Sequence, residues 1–111
     1  MEETMQLKKP LLVNGQDFRE LKFDFDELTA FDMDRAGKLL KDDGSYVNIM
    51  ELDAGYHYKI FSVAVAKRNT DITVYDMMRL GARDYADAAK LVRSFFFGSS
   101  EALSRESTSE E

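Results

Sequence analysis

Asn14 and Gly15 stand between two stretches in which apolar and polar residues alternate, and that arrangement commits the start of the chain to a β-hairpin. Both residues tolerate positive φ, so together they reverse an extended backbone with a twist that matches the flanking strands. The first strand is predicted over residues 7–13 and the second over residues 18–25, where Leu21, Phe23 and Phe25 alternate with Lys22 and Asp24. Register poses a problem of parity. A two-residue turn sets Leu11 opposite Phe18, and the face of Leu11 and Val13 then continues through Glu20, Lys22 and Asp24. Because side-chain direction has period two, a shift of one residue returns Leu21, Phe23 and Phe25 to the apolar face. A three- or five-residue connection, or a bulge, is therefore expected near residues 15–17.

Beyond the hairpin the pattern turns helical. Thr29 and Asp32 have the spacing of a capping box and predict a helix over residues 30–42, with Met33, Ala36, Gly37 and Leu40 on one face and Gly44 as its stop. Residues 43–53 read as a loop with a short extended piece over 46–50. Asp53 is placed to cap a second helix over residues 54–69, with Tyr58, Phe61, Ser62 and Val65 at helical spacing. Thr73 and Asp76 repeat the capping-box spacing and open a short helix that Gly81 ends. Asp84 caps a last helix through Phe97, with Ala88, Leu91, Val92 and Phe95 as its buried stripe and Gly98 closing it. From Ser99 onward the chain has almost nothing to bury and is expected to be a disordered tail. The fold class expected is α+β, mostly helical: an N-terminal β-hairpin followed by about four helices. One domain is expected over residues 1–98 (hairpin 7–25, helical part 29–98), with the tail at 99–111.

Catalytic and metal chemistry find little to work with. The chain has no cysteine, which removes disulfides, thiolate ligands and cysteine nucleophiles together. His57 is the only histidine, so a zinc site or a catalytic triad lacks its partners, and it reads as a partly exposed helix residue beside two tyrosines. The stretch Asp32-Met33-Asp34-Arg35-Ala36-Gly37 has the acids of a calcium loop, but Ala36 supplies no ligand oxygen and Leu39 and Leu40 fall inside the loop. A helix with aspartates in its first turn explains those acids better. Asp24, Asp26, Glu27, Asp42 and Asp43 read as a solvated acidic face rather than paired catalytic carboxylates. No glycine loop for phosphate is present. The expectation is a non-enzyme with no catalytic, metal or cofactor-binding residues.

Partner classes narrow in the same way. With 21 acidic against 15 basic residues the net charge is −6, which opposes nucleic-acid binding. A helix-turn-helix could be mimicked by residues 71–80 and 84–97, but Asp84 and Asp87 offset Arg83, Lys90 and Arg93. Residues 1–9 lack the apolar core of a signal peptide, and the longest apolar run, residues 60–66, is too short to span a bilayer. No membrane partner and an intracellular location are expected. The most unusual local feature is Phe95-Phe96-Phe97. Three consecutive side chains on a helix spread over about 300° of its circumference, so they cannot all face one core. Either one or two are core and the third is incidental, or the triplet builds an apolar patch for a partner or for self-association. Since the stripe takes Phe95 inward, Phe96 or Phe97 is expected to turn outward, and the partner surface is placed at Leu91, Phe95, Phe96 and Phe97.

The succession of features resembles the tail assembly chaperones of tailed bacteriophages. The stretch from Leu7 through Pro10, Leu11, Leu12 and Val13 to Gly15, followed by Glu20-Leu21-Lys22-Phe23-Asp24-Phe25, is similar to that family's hairpin. Ala64 and Ala66, Ile72-Thr73-Val74, Met78, Leu80, Asp84 and the spaced Ala88, Val92 and Phe95 are similar to its second half, over about residues 7–97 in all. The resemblance implies a non-enzymatic helper in the host (bacterial) cytoplasm. Such a protein binds the tape-measure protein, brings tail-tube subunits to it, and is left out of the mature virion. The residues add a possible homo-oligomer, with no nucleic acid and no membrane. The competing readings are a tail-completion or head–tail joining subunit that stays in the virion, and, third, a helix-turn-helix regulator.

Overall fold

The computed structural model describes residues 1–45 and 47–98; Tyr46, in the expected extended piece, and the tail expected at 99–111 lie outside the described residues. The chain opens with β1 (Glu3–Val13) paired antiparallel to β2 (Gln16–Phe23). Asn14 and Gly15 take φ of 51° and 80°, the two successive positive values of a tight hairpin turn.

The expected irregularity near residues 15–17 is not there: Leu11 faces Phe18 and Val13 faces Gln16 directly across the turn. The register slips farther back, between Gln6 and Leu11, so that Met5 faces Leu21 and Glu3 faces Phe23. Residues 7–10 of β1 stand against Arg19 alone, three residues in excess, and an odd excess reverses parity. Met5, Leu11, Val13, Leu21 and Phe23 are all buried as a result. The parity argument holds; its location moves into the strand that carries Pro10, which has no ladder N–H to lose.

The second strand stops at Phe23, two residues earlier than expected. Asp24 accepts a bond from the Asp26 N–H at 3.0 Å and caps a 3₁₀ turn, Phe25–Glu27. Helix α1 (Ala30–Asp42) follows the sequence closely. Thr29 Oγ1 accepts from the Asp32 N–H and the Asp32 carboxylate accepts from the Thr29 N–H, so both halves of the capping box form. Asp53 caps α2 (Ala54–Arg68) by accepting from the Tyr56 N–H at 2.8 Å. Among the described residues of 43–53 there is no strand.

Among the described residues three α-helices form rather than about four. The Thr73–Asp76 box is made, but what it opens is a single 3₁₀ turn, Asp76–Arg79. The buried Tyr58 hydroxyl donates to the Met77 carbonyl, which diverts an acceptor that a continuing helix would use, and Leu80 is already extended. The first helix of the helix-turn-helix mimic is therefore not formed. The last helix, α3, runs Ala82–Phe97. Gly81 occupies its cap position without a side-chain bond, so Asp84 is not the cap but lies in the first turn.

The core is organised around α2. All ten residues from Tyr56 to Val65 are buried, including Lys59 and Ser62. A helix apolar all round belongs in the middle of a structure, and α1, α3 and β2 all pack on α2. Phe23, Phe25 and Phe61 meet at centroid distances of 4.8–6.3 Å, joining the end of the hairpin to the middle of α2.

Candidate partner-binding surface

Asp84 fixes where α3 lies. Its side chain is buried, and its two carboxylate oxygens accept from the backbone N–H groups of Lys8 at 2.9 Å and Lys9 at 3.1 Å. Those are two of the donors that the β1 bulge leaves without a ladder partner. One turn along, Asp87 pairs with the Lys8 ammonium at 2.7 Å, and that contact holds the Asp87 carboxyl below the usual carboxylate range. The bulge and the aspartate thus form one joint between the hairpin and the start of α3.

With that end fixed, the buried row of α3 is Asp84, Ala88, Ala89 and Val92, continued by Phe96. This differs from the expected stripe. Ala88 and Val92 are core, but Leu91 and Phe95 lie on the flank, 38% and 48% exposed. Phe96 and Phe97, of which one was expected to point outward, both pack partly buried against the core. Phe96 meets Phe25 at 5.7 Å, and Phe97 stacks on His57 at 5.0 Å and 25° between planes. The helix is rotated relative to the sequence reading because its partners, Phe25 and His57, lie far away in the chain. His57 is accordingly buried, not partly exposed, and its Nε2 lies 2.7 Å from the Met50 carbonyl oxygen.

Phe95 rests on Phe25 at 5.2 Å and on Phe96 at 4.8 Å, in an edge-to-face contact with the latter. An aromatic ring half exposed on a rigid aromatic base is an apolar surface that loses little conformational freedom when covered. The four residues read from the sequence are therefore brought to one end of α3 in two roles. Leu91 and Phe95 face solvent; Phe96 backs Phe95, and Phe97 packs on His57 and Phe96.

The acidic residues read as one solvated face divide as well. Asp24 is buried, with Arg68 at 3.4 Å and the amino group of Met1 at 3.0 Å. Asp32 is buried beside the Lys67 ammonium at 2.7 Å, and Asp34 pairs with Lys38 at 2.9 Å, so both acids of the calcium-like stretch have partners within the fold. Asp42 and Asp43 remain exposed at the end of α1. Among the described residues no three His, Asp or Glu side chains are grouped to hold a metal ion, and no helix is long and apolar enough to cross a membrane.

Among the described residues, then, a hairpin tied by Asp84 to the start of α3 packs with the helices around α2, and α3 carries an apolar flank near its C-terminal end. The family model for phage tail assembly chaperone proteins, E, or 41 or 14, matches residues 4–96, and the chain belongs to that phage tail assembly chaperone family. Nothing significantly similar was found among curated proteins or among solved structures.

Proposed function

We propose that this protein is a non-enzymatic chaperone that binds the tape-measure protein and helps bring tail-tube subunits to it during tail assembly in the host cytoplasm. The observation that carries the reading is the exposed Leu91–Phe95 flank of α3, in a member of a tail assembly chaperone family. Residues four apart on a helix are neighbours, so these two side chains form one apolar ridge suited to lie against an apolar helical client. Phe96 and, beneath it, Phe25 support Phe95 in the ridge, and the acidic surface keeps a loaded complex soluble.

The test is co-expression with the tape-measure protein. Changing Leu91 and Phe95 together to Ser should reduce recovery of soluble tape-measure protein by about tenfold, as expected when interface anchors are truncated. The melting temperature should move by only a few degrees, because both side chains are already part solvated. Recovery at the wild-type level with the double variant would refute this choice of surface. Mass spectrometry of purified virions should find none of the protein; a fixed copy number there would favour a tail-completion or joining subunit instead.

A further inference from the structure

A second surface lies where the end of α1 meets the 3₁₀ turn Asp76–Arg79. Two concavities open side by side there, of about 210 and 250 Å³, and both are lined by Asp43, Lys59 and Met78. The walls beyond that shared partition are mainly apolar: Tyr58, Met77, Leu80 and Tyr85 on one side, Leu39, Val74 and Tyr75 on the other, where Asp42 also lines the hollow. The partition is specific. The buried Lys59 ammonium pairs with the Asp43 carboxylate and donates to the Met78 sulfur at 3.0 Å, so Met78 stands upright between the two hollows. Met78 is 56% exposed and Tyr75, three residues earlier, is 72% exposed. Side chains three apart nearly eclipse in a 3₁₀ turn, so these two project together.

The charge at the lip selects the occupant. Asp42 ends α1 and Asp43 is its C-cap, with the Asp43 N–H bonded to the carbonyls of Leu39 and Leu40. Carboxylates are unfavourable at a helix C-terminus, where the macrodipole is already negative. Lys59 answers Asp43 alone, and Lys41, the basic residue of the last turn, lines a different hollow beside Met33 and Tyr56. The lip is therefore left electronegative in a chain whose net charge is already −6, and a cation placed there relieves repulsion that the fold by itself retains.

We propose that this double concavity docks an amphipathic, basic helix of a partner protein. Two apolar side chains one turn apart enter on either side of Met78, and a lysine or arginine between them reaches Asp42 and Asp43. A helix supplies such a pair, because neighbours one turn apart lie about 5–6 Å from each other and so can straddle a single side chain. A thioether partition suits varied apolar side chains, because Met repacks at little cost. This surface is separate from the Leu91–Phe95 ridge and does not depend on what that ridge binds.

A synthetic helical Leu/Lys peptide, and a Leu/Glu peptide of the same pattern, titrated calorimetrically against the full chain, test the proposal. The Leu/Lys peptide should bind at least about tenfold more tightly than the Leu/Glu peptide. Met78→Lys should weaken it about tenfold and Asp42→Asn about threefold, whereas Asp17→Asn on the distant hairpin and the Leu91→Ser/Phe95→Ser variant should leave it unchanged. Each variant is melted first; should Met78→Lys fail to fold, Tyr75→Lys fills the same role at a more exposed position. Equal binding of both peptides, wild-type binding by the folded lysine variant, or an equal loss with Asp17→Asn would overturn the proposal. Loss of binding in the Leu91→Ser/Phe95→Ser variant would do so too, by moving the peptide to the ridge.

Discussion

Asp84 carries more of the fold than its place in the first turn of a helix suggests. A carboxylate that receives two backbone N–H bonds while buried makes charge-assisted hydrogen bonds, and removing it leaves both donors unsatisfied as well. Asp84→Ala should cost about 3 kcal/mol in chemical denaturation, and Asp84→Asn, which keeps an acceptor without the charge, about half as much. A cost below about 1 kcal/mol for the alanine variant would show that water reaches Lys8 and Lys9 and replaces the carboxylate. The sequence pointed to this aspartate, by helix start and by resemblance, but as a cap. Its true partners are 76 and 75 residues away, and no local pattern records such a bond.

At the scale of elements, what was legible is what local chemistry decides. Asn14–Gly15, the Thr29–Asp32 box and the Asp53 cap act within four residues of themselves, and each appears where the sequence put it. What was not legible is rotation and depth. Helix α2 is buried on every side, so its one-face periodicity carried no signal for His57 or Lys59. Helix α3 has apolar residues around most of its C-terminal half, and Phe25 and His57 choose which of them face inward. Two predictions separate the cases. Phe61→Ala removes a fully buried ring between Phe23 and Phe25 and should cost about 4 kcal/mol, measured by denaturant titration. Changing Phe96 and Phe97 to Ser should lower the melting temperature far more than Leu91→Ser with Phe95→Ser. The reverse order would mean that the helix sits in the rotation first read from its sequence.

For the molecule as a whole, stability should depend on pH with a definite sign. Burial pulls the Asp32 carboxyl upward, but the Lys67 ammonium together with the N–H and hydroxyl of Thr29 outweighs it and holds the group below its ordinary 3.8. The Thr73 N–H, opposed by slight burial and helped by the Thr73 hydroxyl and Arg79, holds Asp76 below its ordinary value too. A group whose folded pKa is depressed stabilises fully above its unfolded pKa and loses that contribution as pH falls through the folded one. The melting temperature should therefore be flat above about pH 5 and fall steadily from about pH 4 downward. Asp32→Asn should flatten part of that fall. A melting temperature that rises on acidification would mean that repulsion within the acidic chain outweighs these pairs.

The bulge in β1 also bears on what the protein avoids. A two-stranded sheet normally offers an open row of donors and acceptors to any passing extended chain, the usual seed of runaway strand addition. Here the middle of β1 has no free N–H over residues 8–10: Pro10 lacks one, and those of Lys8 and Lys9 are held by a buried carboxylate. On the function proposed above, which sets the protein beside partly folded chains, this stretch of the hairpin gives their backbones no N–H to pair with.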